Sequence, residues 1–238
     1  MTAQPFKTIV LDLLRAGHLD EAAFFQELGE TERAAIGTPD LWSAKDHVVH
    51  RTFGRQNLIQ VLTAILQHQE VPPREKINDE SNAKVFKEQK LRPWSEVRAE
   101  SEQVFADLIT LVEHLSEDEL NDTHRFTPII REGKPLYAAF LGYWYEHGQE
   151  HLAQYYSDRH DLARAIQIRE RCASRILQAE VPAWVKGWFL YNLACFYAQF
   201  NQSDQAAARL QEAVAFDPGL QEQAKSDLDL AALRDPSA

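Results

Sequence analysis

Apolar side chains recur every three or four residues through most of this 238-residue chain. The stretch after Pro93 is typical: Val97, Val104, Leu108 and Leu115 lie on one side of a helix, at the spacing by which helices pack together. Glycine is scarce, with 9 residues, and runs of β-branched residues are rare, so little favours a sheet. The sequence therefore predicts an all-α protein.

Four long helical stretches are predicted in the first two thirds of the chain, and two long polar connections separate them. The stretches are expected at about 5–33, at 43–68 with Ser43 as its cap, after Pro93 with Ser95 as its cap, and at 136–157. The connections cover 71–93 and 116–135, and the first contains a short helical pattern in NDESNAKVFKEQ. Four helices with two long connections predict a four-helix bundle.

The composition changes after Asp158, where four further helices with short connections are expected. They cover about 162–178, 184–200, 204–216 and 220–233. The segment LYNLACFYAQFNQSDQAAARLQEAVAFDPGL resembles a tetratricopeptide repeat, whose spacing is matched by Leu193, Ala194, Tyr197, Ala206, Leu210, Ala213 and Pro218. Only one full repeat is present, whereas a free-standing array needs about three, so a packing or docking role is expected. We predict two domains, 1–159 and 160–238.

Charge and hydropathy exclude several classes of partner. The formal net charge is −11, so a polyanion such as DNA is not an expected partner. No apolar run approaches the roughly 18 residues needed to cross a bilayer, so no membrane association is expected. The start of the sequence lacks the charged-then-apolar layout of a signal peptide, which predicts a cytoplasmic protein.

The segment YEHGQEHLAQYY carries His147 and His151, four residues apart, on a stripe with Phe140, Trp144 and Tyr155. The aromatic members should face the core, so both histidines are expected to face inward. A histidine pair at this spacing can converge on one metal ion. A catalytic zinc site usually has three protein ligands, so a third ligand must come from elsewhere.

His50 is the candidate third ligand, because it shares an inward stripe with Phe53, Asn57 and Val61. A buried histidine cluster that holds no metal is the competing interpretation. His47, three residues earlier, is expected on the helix surface or behind a ligand. Asp46 could orient the His50 ring, but the favoured interpretation is a solvated acid at the helix N-terminus.

Trp42, His50 and the His147–His151 pair together resemble the DinB-like four-helix bundle superfamily. The pieces WSAKDHVVH, NDESNAKVFKEQKLRPWSEV and YEHGQEHLAQYYSDR are most similar to its ClbS/DfsB branch, which is associated with protection from a reactive natural product. The resemblance covers roughly 5–159. It implies a divalent metal held by His50, His147 and His151, with zinc as the first expectation and nickel or iron as alternatives. The tetratricopeptide-like extension is not part of the family pattern.

Two functional hypotheses follow. The first is a metal-binding DinB-like protein that acts on a small molecule by hydrolysis, thiol transfer or detoxification, as a metal-dependent hydrolase or transferase. The second is a non-catalytic interaction or scaffold protein, whose C-terminal helices bind a protein partner or a second copy of the chain. No GxSxG motif or phosphate-binding loop is present, and no general base can be assigned.

Overall fold

The computed structural model describes residues 5–72 and 79–234, with the backbone alone at 79–82. Every regular element in these ranges is helical, apart from an isolated bridge between Thr38 and Leu41. The prediction of an all-α protein is confirmed. The chain divides into two compact units between Asp161 and Leu162. None of the helices in the described ranges combines the length and apolarity that crossing a membrane requires.

The first unit contains eight α-helices and one π-helical segment within its described residues. They are α1 (Phe6–Glu27), α2 (Glu30–Ala34), α3 (Ala44–Leu66), α4 (Asp79–Gln89), α5 (Trp94–His114), α6 (Glu117–Asn121), α7 (Leu136–Ala139), the π segment (Phe140–Glu146) and α8 (His147–Ser157). The last three are continuous, and we call them together the histidine helix. The short helix predicted in the first long connection is present as α4.

Four long helices build the core of this unit. Helix α3 packs on α5 and α8, and α1 packs on α5 and on the π segment and α8 of the histidine helix. Leu14, Leu62, Leu108 and Phe140, one from each, are at most 4% exposed. The two long connections carry the short helices α4 and α6. This packing brings α3 and the histidine helix, which hold the candidate ligands, side by side.

The start of α3 follows from its sequence. The Ser43 hydroxyl accepts a hydrogen bond from the Asp46 amide at 3.3 Å, and the Asp46 carboxylate accepts one from the Ser43 amide at 2.8 Å. This reciprocal pair is a capping box, and the predicted Ser43 cap is confirmed. The predicted Ser95 cap is wrong. The cap is Pro93, two residues earlier, because the Pro93 carbonyl already accepts the Glu96 and Val97 amides.

Two predicted helices are interrupted. The stretch expected at 5–33 breaks at Gly29, whose extended backbone starts α2 and whose amide donates to Glu32 Oε2 at 2.9 Å. The stretch expected at 220–233 divides into two short helices. Between them, the Asp227 carboxylate accepts hydrogen bonds from the Asp229 amide at 3.0 Å and the Tyr191 hydroxyl at 2.7 Å. Such local side-chain bonds compete with continuation of a helix.

The second unit contains α9 (Leu162–Gln178), α10 (Ala183–Gln199), α11 (Ser203–Phe216), α12 (Leu220–Ala224) and α13 (Ala231–Arg234) among its described residues. Helix α10 packs on α9 and α11. Ala194, Ala206 and Ala213 are fully buried at 0% exposure. A β-carbon on Gly187 would lie 3.1 Å from the Ala213 carbonyl oxygen and 3.1 Å from Asp217 Cβ. Small side chains therefore set the close approach of these helices.

Candidate metal centre

Three imidazole rings converge between α3 and the histidine helix. His50 Nε2 lies 3.3 Å from His147 Nε2, which lies 3.1 Å from His151 Nε2. One ring nitrogen from each of the three histidines lies within 4.8 Å of the other two. The structure thus brings together the three residues predicted as ligands from the sequence.

The spacing of these nitrogens suits a shared cation. Zinc–nitrogen bonds of about 2.0–2.1 Å in a tetrahedral site hold neighbouring ligand atoms about 3.3 Å apart. The two nitrogen–nitrogen distances of 3.3 and 3.1 Å lie close to that value. Three neutral imidazoles are also a ligand set common in divalent-metal sites.

The hydrogen-bonding capacity of these nitrogens also favours a metal ion. His147 Nε2 has one in-plane position, which carries either a proton or a lone pair, yet it faces ring nitrogens of both His50 and His151. A proton on this nitrogen satisfies one neighbour well and leaves the other poorly bonded. A cation between the rings accepts a lone pair from each. The residues present therefore fit a metal better than they fit a hydrogen-bonded cluster.

Two of the rings have contacts on the side away from the convergence point. His147 Nδ1 lies 3.4 Å from Glu150 Oε2, and His151 Nδ1 lies 3.1 Å from His47 Nδ1. Groups in these positions fix the tautomer and orientation of a ligating histidine. His151 and His147 can then each carry a proton on Nδ1 and present Nε2 to a metal.

His47 is buried, with 1% of its surface exposed, so the expectation of a helix-surface position is wrong. Its other nitrogen, Nε2, is also buried and has no hydrogen-bond partner among the described residues. The alternative, a position behind a ligand, agrees with the contact to His151. The sequence HVVH places His47 and His50 one turn apart on α3, and this spacing could have indicated that His47 lies near the ligands.

Trp42 packs against three of the histidines. Its ring is parallel to that of His151 within 5°, with centroids 5.7 Å apart, and its centroid lies 5.1 Å from that of His50 and 5.3 Å from that of His47. Arg159 donates to the Trp42 carbonyl at 2.9 Å and thereby ties this loop to the end of the histidine helix. The indole limits the positions that the rings can take.

Burial controls the protonation of the inner histidines. Desolvation lowers the pKa of His151 well below its usual value, and the neighbouring His147, His47 and His50 lower it further. The pKa of His47 is lowered by burial first and then by Arg51 and Arg159. Both rings are held neutral, which is the form that binds a metal or accepts a hydrogen bond.

His147 is the open side of the cluster, because its side chain is 41% exposed whereas His151 is 8% exposed as a residue. Both rings reach the convergence point, but only His151 is buried. Both histidines follow the π segment, which ends where the His147 amide donates to the carbonyl of Gly142, five residues back. This wider turn breaks the single 3.6-residue stripe. Such π-bulges inside α-helices occur frequently at functional sites.

Asp46 does not orient His50. Its Oδ2 atom accepts hydrogen bonds from Ser43 and from the Gly37 amide at 3.1 Å, and the residue is 7% exposed. Asp46 lies at the helix N-terminus, as predicted, but it is buried rather than solvated. Its carboxylate is used in joining the preceding turn to α3.

A buried ion cluster, which no sequence pattern predicted, adjoins the histidines. Glu21 Oε1 lies 2.6 Å from Arg51 Nη1 and 2.5 Å from Arg55 Nη2, and all three residues are at most 6% exposed. Arg51 Nε also donates to the His47 carbonyl at 3.3 Å. Burial alone raises the pKa of Glu21, but the two guanidinium groups outweigh it and hold the pKa at about 2. The cluster anchors α3 to α1 beside the candidate ligands.

The fold and the site together define the class of protein. It is an all-α protein with a cluster of histidines between two long helices. The chain belongs to the DinB superfamily, because the model of that family matches residues 18–155. The match includes the four histidines of the site and ends before the second unit. Proteins of this superfamily generally bind divalent metals. No curated protein and no solved structure gives a significant match to the chain.

Proposed function

We propose that His50, His147 and His151 hold a divalent metal ion and that the protein uses it to act on a small molecule. The convergence of three ring nitrogens on one point carries this proposal. Zinc is the first candidate, since it favours neutral imidazole ligands, and nickel and iron are the alternatives. Three protein ligands leave a coordination position for water or substrate.

The roles of the surrounding side chains follow from their contacts. His47 and Glu150 orient the rings of His151 and His147, and Trp42 packs over the inner rings. When bound, a divalent ion supplies a Lewis acid that activates a water or a thiol. The half-exposed edge of His147 lets a substrate reach the site from solvent. Hydrolysis, thiol transfer and detoxification are the reaction types that this arrangement supports.

We also propose the finer assignment within the superfamily. The pieces around Trp42, around the segment 78–97 and around the His147–His151 pair favour the ClbS/DfsB branch, and hence a protective role toward a reactive small molecule. The pairwise packing of α1, α3, α5 and the histidine helix supports a four-helix bundle over residues 1–159. Residues 160–238 form the extension, and the protein acts in the cytoplasm.

Metal analysis of purified protein tests the central proposal. The wild-type chain should retain near-stoichiometric divalent metal, whereas the His147→Ala, His151→Ala double variant should retain little. His124→Ala is the matched control, because that side chain is 79% exposed and lies outside the cluster. Equal metal content in the wild type and the double variant would refute the metal site.

A second candidate function concerns the extension. The close packing of α10 on α11 through Gly187, Ala206 and Ala213 is typical of helical repeats, and favours a docking role for a protein partner or a second copy of the chain. Removing residues 160–238 and measuring the mass in solution and the retained partners tests this function. An unchanged mass together with unchanged partners would count against it.

A further inference from the structure

A cavity of about 430 Å³ lies in the first unit, and none of its lining residues belongs to the histidine cluster. It is bounded by α2, by the start of α3 and by the turn between α4 and α5. Its volume falls within the range of about 300–1,000 Å³ that small-molecule sites occupy. We call it the basic cavity.

The charge of the basic cavity differs from that of the chain. Four of its ten lining residues are basic and one, Glu30, is acidic, whereas the whole chain has a formal net charge of −11. Arg92 is already neutralised, since its Nη1 lies 2.6 Å from Glu100 Oε2. Arg33, Lys45 and Lys90 remain, and none of them has an ion-pair partner among the described residues.

Lys45 provides the strongest evidence that the basic cavity suits an anion. The residue is 4% exposed, and its ammonium group donates to the carbonyl oxygens of Lys90 at 2.8 Å and Arg92 at 3.1 Å. An ammonium group has three donors, so one stays without a partner among the described residues. A buried cation without a counter-charge is costly, and an anion in the adjoining cavity removes that cost.

Arg33 adds a second donor of the same kind. Its Nη2 atom donates to the Phe25 carbonyl at 3.1 Å, but its Nε–H is buried and has no partner in the described part of the chain. Lys90 reaches over the ring of Phe86, 6.0 Å from the centroid. The unmet hydrogen-bonding capacity of the cavity is therefore cationic.

The remaining wall of the cavity is apolar. Trp94 is held in place by an edge contact with Phe25, with ring centroids 5.3 Å apart. Ile36 and Leu91, which also line the cavity, are 53% and 77% exposed. Exposed apolar side chains gathered beside a concave surface mark a place where a ligand can cover them.

We infer that the basic cavity binds a small organic carboxylate with an apolar body. The carboxylate is held by the cationic groups of Lys45, Lys90 and Arg33, and the apolar body covers Trp94, Leu91 and Ile36. A polyanion does not suit this place, because the chain as a whole carries a formal net charge of −11. The site is independent of the proposed metal and goes beyond the function proposed for the histidines.

Isothermal titration calorimetry of the full-length protein tests this inference, with octanoate as the probe. Octanoate should bind, and binding should weaken as the salt concentration rises. Inorganic phosphate provides the charge without the apolar body, and 1-octanol provides the body without the charge. Both should bind at least roughly tenfold more weakly, 1-octanol because it lacks the charge-assisted contact and phosphate because it lacks the apolar surface to bury.

Two variants locate the binding. Lys90→Glu and Arg33→Gln should each weaken octanoate roughly tenfold or more. Lys87→Glu is the matched control, because Lys87 is an exposed residue of α4 that does not line the cavity, and it should leave the affinity unchanged. Circular dichroism melting curves establish that each variant is folded.

Three results would overturn the inference. They are equal affinity for octanoate and 1-octanol, phosphate binding as tight as that of octanoate, and wild-type affinity in both Lys90→Glu and Arg33→Gln. The His147→Ala, His151→Ala double variant should bind octanoate like the wild type, so the two proposals fail separately.

Discussion

The role of His47 depends on its surroundings. The same imidazole on an exposed helix face would be an ordinary polar side chain. Here it is 1% exposed and its Nδ1 lies 3.1 Å from His151 Nδ1, so it is placed to orient that ring. The neutral form that burial enforces can accept the Nδ1 proton of His151. His47 is therefore a positioning residue for the proposed metal centre.

Replacing His47 with Phe should weaken metal binding without abolishing it. The phenyl ring preserves the buried volume but removes the nitrogen that orients His151, and loss of such a partner costs about 10–100-fold in metal affinity. Competition with a chelator measures the change. His114→Phe, on the exposed surface of α5, is the control. An unchanged affinity in His47→Phe would remove its positioning role.

Glu21→Gln should lower the free energy of unfolding strongly. The substitution leaves Arg51 and Arg55 buried without their shared carboxylate, and breaking a buried ion pair in this way costs about 3–5 kcal/mol. Urea denaturation measures it. Glu113→Gln is the matched control, because Glu113 pairs with Arg15 on the surface with side chains 47% and 50% exposed, where such a pair contributes about 0–1 kcal/mol. Equal losses in the two variants would contradict the assigned role.

Among the helices, the turn before α3 shows how strictly an element can depend on one glycine. Gly37 faces the capping box, and a β-carbon there would lie 2.5 Å from the Ser43 amide nitrogen and 2.8 Å from the Leu41 carbonyl oxygen. It would also overlap the Asp46 carboxylate. Two of these neighbours are backbone atoms, which cannot move without shifting the turn. The loop and the helix cap are thus one unit, which also places Trp42 beside the histidines.

Gly37→Ala should therefore destabilise the protein by about 1–3 kcal/mol, which is typical of overpacking. Thermal denaturation provides the measurement. Gly29→Ala is the control, because within the described ranges a β-carbon there meets only Glu32 Oε2, at 3.6 Å, and its φ of −73° suits any residue. The account of the turn would be wrong if both substitutions had the same effect.

At the scale of the whole molecule, the first unit combines an apolar core with a charged cluster that titrates as the protein unfolds. The folded pKa of Glu21 is about 2, against 4.5 for the free side chain. A lowered pKa stabilises the folded state above the unfolded pKa, and this contribution is lost as the pH falls toward the folded pKa. The buried ion cluster therefore links global stability to acidity.

The free energy of unfolding should consequently fall by about 3 kcal/mol between pH 4.5 and pH 2 on account of Glu21 alone. Chemical denaturation across this range measures the dependence. Glu21→Gln should show a flatter profile, because its side chain does not titrate. Parallel pH profiles for the wild type and the variant would show that the acid sensitivity lies elsewhere.

Periodicity and caps were sufficient for the all-α class and for Ser43 as the cap of α3, because these depend on residues close together along the chain. The stripes of two separate helices also offered His50, His147 and His151 as candidate ligands, although His50 and His147 are 97 residues apart. The inward position of His151 followed from the aromatic stripe on its own helix. The partial exposure of His147 did not, since it depends on how far the neighbouring elements cover that side of the helix, which a stripe on one helix does not show. The break at Gly29 was also missed, because one glycine within a helical pattern is usually tolerated.

The remaining features depended on which helix faces which. Glu21 and Arg55 are 34 residues apart, and Lys45 meets carbonyl oxygens 45 and 47 residues away. Such pairings arise only when the core has formed. A charged side chain costs free energy only where it is buried, and the group that can pair with it is set by distance in the fold rather than by residue type. The sequence by itself determined the helical class and the residues offered as ligands. Tertiary structure alone decided the role of His47, the buried ion cluster and the basic cavity.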